Sequence, residues 1–139
     1  MMKIFLDTNI LLDILYEREA FVQDALAIFD LAADGELTVC VSDLTIANIK
    51  YITRKDYTTD EFCDAMKALR PILQIEPLGA DAIDEALQMR ASDFEDSLQY
   101  LCAVKAHADC IITRNIKDFG FAQIEVISPR DFLQHFNFN

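Results

Sequence analysis

The chain has few of the residues that interrupt regular structure and few that bind zinc. Three glycines and three prolines in 139 residues leave little room for long loops. There are only two histidines, and the four cysteines form neither a CxxC pair nor a zinc-finger spacing. We therefore expect buried, reduced thiols rather than a zinc site. Repeats and low-complexity segments are also absent, and the length suits one domain with its own core.

Long apolar runs and an excess of basic charge are missing as well. No apolar run approaches the ~20 residues of a membrane span, and Asp7 comes too early for a signal peptide. We expect a soluble, cytoplasmic protein without membrane contact. Twelve basic and 24 acidic residues give a net charge of −12, the wrong sign for a general nucleic-acid binder. Any RNA contact must be local and helped by metal, unless the acidity serves a basic protein partner.

The hydrophobic pattern predicts short strands that alternate with helices. Strands are predicted at residues 3–6, 37–41, 72–76, 110–113 and 124–127. Helices are predicted at residues 8–16, 21–34, 44–55, 58–70, 80–91 and 93–107, with a last helix from 129. Ser92 and Glu95 match a capping box for the sixth helix. This alternation implies an α/β fold, a mainly parallel sheet of about five strands covered by helices on both faces, in a single domain over residues 1–139.

Polar side chains stand where these elements meet. Asp7 closes the first strand, and Asn115 and Asp118 follow the fourth. Asn48 interrupts the apolar stripe of the third helix, and Asp96 lies in the first turn of the sixth. The carboxyl ends of parallel strands and the amino ends of the following helices share one sheet edge, where ligands bind. We therefore expect these five side chains to converge.

Converging carboxylates imply a cation. Two unit charges ~4 Å apart repel by roughly 4 kcal/mol at intermediate dielectric. A divalent ion relieves this repulsion, and oxygen ligands favour Mg²⁺ or Mn²⁺ over zinc. The pattern therefore indicates metal-assisted chemistry on phosphate.

Each of these residues also has an ordinary structural explanation. Asp7 could cap the helix that begins at Thr8, and Asp96 could interact with its helix dipole. Asp118 could be a solvated turn residue, and Asn48 could make a structural hydrogen bond. Their predicted convergence at one edge of one sheet is stronger evidence for a site than any one of these residues alone.

Together these residues resemble the PIN-domain ribonucleases, whose small single-domain members are the VapC-type toxins. The resemblance covers essentially the whole chain. It rests on an opening motif, LDTNILLD at residues 6–13, and on a closing pair, DFEDSLQ at 93–99 and ADCIITRNIKDF at 108–119.

The resemblance implies a three-layer α/β/α sandwich with an acidic pocket for Mg²⁺ or Mn²⁺, whose activated water attacks RNA phosphodiesters. The implied catalytic residues are Asp7, Asn48, Asp96, Asn115 and Asp118. Among them, the implied metal ligands are Asp7, Asp96 and Asp118. The implied substrate-binding or supporting residues are Thr8, Asn9, Thr113 and Arg114. Asp13 is a further candidate. The implied partners are an RNA substrate, a cognate antitoxin and a second copy of the chain.

The chain departs from the family pattern at two positions. Asn48 stands where members usually have Glu, and Asn115 where many have Asp. The pocket thereby loses up to two charges, so a weakened or inactive PIN-fold interaction module is the alternative. A phosphoacceptor receiver domain is disfavoured. It expects paired acids after the first strand and a Lys at a late strand end, whereas this chain has Asp7 alone and Thr113–Arg114.

Overall fold

The computed structural model describes residues 1–137, so the last two residues of the predicted domain lie outside the described part. The strands of this part are β1 (Lys3–Leu6), β2 (Thr38–Ser42), β3 (Leu73–Glu76), β4 (Cys110–Ile112) and β5 (Glu125–Ile127). Its α-helices are α1 (Thr8–Leu15), α2 (Val22–Ala33), α3 (Asp43–Ile52), α4 (Thr59–Leu69), α5 (Gly79–Met89), α6 (Phe94–Lys105) and α7 (Pro129–Asn137). A 3₁₀ helix spans Ile116–Phe119.

The five strands form one parallel sheet in the order β3-β2-β1-β4-β5. β1 is central, and its Ile4 pairs with Val39 on one side and Cys110 on the other. Such a strand is buried on both faces, which explains its nearly continuous apolar sequence. The predicted parallel sheet of five strands is confirmed.

Alternate residues of β1 point into two separate apolar cores. Ile4 and Leu6 lie in the core formed with α1, α2, α3 and α7. Phe5 lies in the core formed with α5 and α6. Helices therefore cover both faces, and the predicted three-layer α/β/α sandwich is confirmed.

Two local expectations were wrong. The third helix ends at Ile52 rather than at residue 55; Thr53 is its C-cap, and the buried Thr53 hydroxyl donates a hydrogen bond to the Ile49 carbonyl at 2.8 Å. The Ser92 capping box is also absent. Asp93 caps α6 instead, since its carboxylate accepts a hydrogen bond from the Asp96 amide at 3.0 Å.

The cysteines fit the expectation of reduced thiols at most positions. All four are free, and three of them are buried while Cys63 is exposed. Burial raises the pKa of Cys40 and Cys110 to about 12, which leaves these thiols unreactive. Within residues 1–137 no helix is both long and apolar enough to cross a membrane.

A buried ion pair joins α1 to the segment after β4. The Asp13 side chain is fully buried and accepts two hydrogen bonds from Arg114, at 2.8 and 3.1 Å. Arg18 donates a third at 3.1 Å. One buried carboxylate therefore binds two guanidinium groups.

We expect Arg114→Met to lower the free energy of unfolding by about 2–3 kcal/mol, because it leaves a buried charge with one partner, Arg18. In an Asp13→Asn background, the same substitution should cost about 1 kcal/mol or less. Urea unfolding of the four proteins in this cycle measures both costs. Equal costs in the two backgrounds would show that the pair contributes no coupling energy.

Candidate functional site

Asp7 lies at the carboxyl end of the central strand, and its side chain is almost fully buried. One carboxylate oxygen accepts a hydrogen bond from the Thr8 amide at 2.8 Å, and the other accepts one from the Thr113 hydroxyl at 2.8 Å. Burial raises the pKa of Asp7 although both hydrogen bonds oppose the shift. The first bond also caps α1. The helix cap and the predicted site residue are therefore the same residue.

Four more carboxylates surround this position, and with Asp7 we call them the acidic cluster. Its members are Asp7, Asp93, Glu95, Asp96 and Asp118. Burial and then the charges of Asp93, Asp7 and Asp118 raise the pKa of Asp96 to about 7. Burial, Asp93 and Asp7 also raise the pKa of Glu95. The charged neighbours with the largest effects on the pKa values of Asp7 and Asp96 are all acidic. The cluster is therefore a centre of unbalanced negative charge.

Asn48 connects α3 to this cluster. Its side chain is half-buried, and its amide nitrogen donates a hydrogen bond to a Glu95 carboxylate oxygen at 3.1 Å. The amide at position 48 therefore holds a carboxylate supplied by α6. The sequence motif contained Glu95, but we had assigned it to helix capping rather than to the site.

The segment after β4 places the remaining predicted residues at the rim. The Thr113 hydroxyl accepts a hydrogen bond from the Asn115 amide at 3.0 Å while donating to Asp7. Asn115 and Asp118 are both exposed, and the Asp118 amide donates to the Asn115 carbonyl at 3.0 Å. Asp118 also borders a cavity of about 300 Å³ together with Asp93 and Lys117. The rim is therefore open to solvent.

A polar network lies beneath the acidic cluster. Gln99 is fully buried, and its amide nitrogen donates to the hydroxyl groups of Thr8 at 3.2 Å and Thr45 at 3.0 Å. This network joins α1, α3 and α6, the helices that follow Asp7 or carry other site residues. The sequence analysis missed Thr45 and Gln99. Helical spacing was the available signal, since each lies three residues from a predicted site residue.

The predicted substrate-binding residues differ in how deeply they are buried. Thr8 and Thr113 are buried, so their hydroxyl groups position other residues rather than lie at the surface. Asn9 is half-buried, and its side-chain oxygen is buried without a hydrogen-bond partner. Arg114 is bound to Asp13, and its guanidinium group stacks on the Phe21 ring at 3.9 Å. Asp13 is therefore part of a buried ion pair and lies outside the acidic cluster.

The donors at the site fit a hard divalent cation. They are carboxylate and amide oxygens, and the acidic neighbours of Asp7 and Asp96 raise the pKa of both groups. In residues 1–137 no group of three or more acidic, histidine or cysteine side chains is placed so that it could hold a metal ion. Mg²⁺ does not require one, because it is usually held by one or two carboxylates with water and substrate phosphate. Asp7 and Asp96 could supply those carboxylates.

Comparison with known proteins identifies relatives along almost the whole chain. Ribonuclease VapC1 of Aquifex aeolicus is 26% identical over 140 residues, which cover 97% of this chain and 96% of that protein. The DNA-bound VapBC structure from Salmonella typhimurium superposes with a TM-score of 0.71 at 17% identity, covering 93% of this chain and 99% of that one. VapBC2 from Rickettsia felis, bound to a promoter DNA fragment, gives 0.68 at 19% identity, with coverages of 91% and 98%.

These solved structures share the fold described above. A family model described as the PIN domain matches residues 3–117, which contain every member of the acidic cluster except Asp118. The chain therefore belongs to the PIN domain family.

Proposed function

We propose that this protein is a PIN-type endoribonuclease that depends on Mg²⁺ or Mn²⁺ and is the toxin of a toxin–antitoxin pair. The observation that carries the proposal is the placement of Asp7 and Asp96 in one acidic cluster at the carboxyl edge of the sheet. Similarity to a protein named Ribonuclease VapC1 supports the choice of RNA as substrate.

In this proposal Asp7 and Asp96 hold the ion, and Asp118 completes the site directly or through water. When bound, the ion lowers the pKa of a water molecule and neutralises charge on the phosphate. Thr113 fixes the Asp7 carboxylate through its hydroxyl hydrogen bond. Asp93 caps α6 and thereby fixes the backbone of Asp96. These contacts limit the movement of Asp7 and Asp96, the two proposed metal ligands.

Asn48 and Asn115 favour the alternative, a weakened or inactive PIN-fold module that only binds protein. Two amides replace two charges, which should reduce metal affinity. The structure offers a partial compensation, because the Asn48 amide holds the Glu95 carboxylate at 3.1 Å. We infer that Glu95 supplies charge that position 48 lacks, which favours the enzyme over the inactive module.

The proposed partners are an antitoxin and a second copy of the chain, with the chain acting as one cytoplasmic domain. The net charge of −12 suits a basic segment of an antitoxin. Large apolar side chains are exposed on α3, at Tyr51 and Ile52, and on α5, at Ile83 and Leu87. Such side chains are suited to protein interfaces.

We expect the purified chain to cleave single-stranded RNA with Mn²⁺ or Mg²⁺ and to be inactive in EDTA. Asp7→Asn should lower the cleavage rate roughly 10²-fold or more, on the scale of losing a group that stabilises a transition state. Asp30→Asn, at an exposed position of α2, is the matched control and should retain full activity. A folded wild type that is inactive with both metals would favour the interaction module instead.

Protons and metal ions compete for the same carboxylates, so both metal binding and the stability of the folded protein should depend on pH. Asp96 loses its proton near its ordinary pKa of 3.8 in the unfolded chain but near about 7 in the folded protein. The folded protein therefore binds more protons between these values, and its free energy of unfolding in metal-free buffer should fall as the pH rises.

Asp96→Asn should make this fall smaller, as measured by urea unfolding at about pH 5 and about pH 7.5. The control is Asp30→Asn, which should behave as wild type. An identical fall in wild type and Asp96→Asn would contradict the raised pKa of Asp96.

A further inference from the structure

A second cavity lies on the same sheet edge as the acidic cluster. It has a volume of about 300 Å³. Its walls include Phe21, Asp24, Arg114, Ser128, Pro129 and Arg130. Arg114 follows the end of β4 by two residues, and Ser128 directly follows β5. Thr113, which binds the Asp7 carboxylate, immediately precedes Arg114. The chain therefore passes directly from the acidic cluster into the wall of this cavity.

The cavity is a local positive region in an acidic protein. Two of its three charged wall residues are Arg114 and Arg130. Arg114 shares the single buried charge of Asp13 with Arg18, so this group of three carries a net positive charge. The side chain of Arg130 is 73% exposed, and its Nε lies 3.5 Å from Asp24. Such an exposed pair is weak, so Arg130 is available to an incoming anion.

The cavity also presents an aromatic ring and a hydroxyl group. The Phe21 side chain is partly exposed, and the Arg114 guanidinium stacks on its ring. The Ser128 oxygen accepts a hydrogen bond from the Asp131 amide at 3.1 Å, which leaves the hydroxyl hydrogen available for donation. A phosphate group requires positive charge and hydrogen-bond donors, and a nucleobase stacks on an aromatic ring.

We propose that this cavity binds one nucleotide of the RNA strand next to the cleaved linkage, with its phosphate at Arg130 and Ser128 and its base against Phe21. The inference rests on the proposed function, which it extends to a substrate subsite. Two arginines beside a single carboxylate, Asp24, disfavour a second metal site in this cavity. An RNA strand is favoured over an acidic protein segment because the cavity adjoins the acidic cluster and combines charge with an exposed aromatic ring.

The first test is Arg130→Gln, with Lys67→Gln as the control. Lys67 is an exposed residue of α4, whose neighbouring strand β3 lies at the opposite edge of the sheet. We expect Arg130→Gln to raise the KM for a short single-stranded RNA roughly three- to tenfold, as for the net loss of one solvent-exposed hydrogen bond, with little change in kcat. Lys67→Gln should leave both constants unchanged.

The second measurement is the salt dependence of binding. It uses the same short single-stranded RNA, labelled with fluorescein, in EDTA to prevent cleavage. Arg130→Gln should remove one phosphate contact. The slope of log K, where K is the association constant, against log salt concentration should therefore become shallower by about 0.7. Phe21→Leu should weaken binding without changing this slope, because stacking involves no counterion release.

The outcomes separate the two proposals. A wild type that neither cleaves nor binds RNA overturns the proposed function and this subsite with it. A wild type that cleaves RNA while Arg130→Gln keeps its KM and salt slope overturns the subsite alone. If Arg130→Gln instead weakens only the complex with a co-expressed protein partner, the cavity binds protein, and the nucleotide subsite is wrong.

Discussion

The Asp7 carboxylate is buried at the end of the central strand, and no residue in the described range 1–137 forms an ion pair with it. The rest of the candidate site depends on this charge. Burying an unpaired carboxylate costs several kcal/mol, a cost that its hydrogen bonds from Thr8 and Thr113 only partly offset. Other acids nearby increase the cost, as the raised pKa of Asp96 shows. A divalent cation would relieve the repulsion, and the proposed metal site would account for this otherwise unfavourable arrangement.

Asp13, in the helix α1 that Asp7 caps, is a second buried carboxylate and allows a comparison. Asp13 is more deeply buried than Asp7, but Arg18 and Arg114 neutralise it. One buried acid is thus balanced within the fold, and the other is left unbalanced at an open edge. Under the proposed function, this difference separates a structural carboxylate, Asp13, from a metal-binding one, Asp7, although the two residues lie six positions apart in one motif.

The sequence was sufficient to predict the elements and the edge where Asp7 and Asp96 meet. Strand and helix periodicity set the layers, and parallel topology brings strand ends together. The side-chain pairs were not predictable. Asn48 and Glu95 are 47 residues apart, and Gln99 and Thr8 are 91 residues apart. Such pairs depend on how helices pack side by side, which hydrophobic periodicity does not encode. For the same reason Arg114 was assigned to substrate without its buried partner Asp13.

Crystals grown or soaked with Mn²⁺ test the central claim most directly, because the anomalous signal of the ion reports its position without relying on activity. The account predicts an anomalous peak between the carboxylates of Asp7 and Asp96, and its disappearance in Asp7→Asn crystals treated in the same way. A peak elsewhere on the chain, or none beside Asp7 at millimolar Mn²⁺, would contradict the claim that the acidic cluster is a metal site.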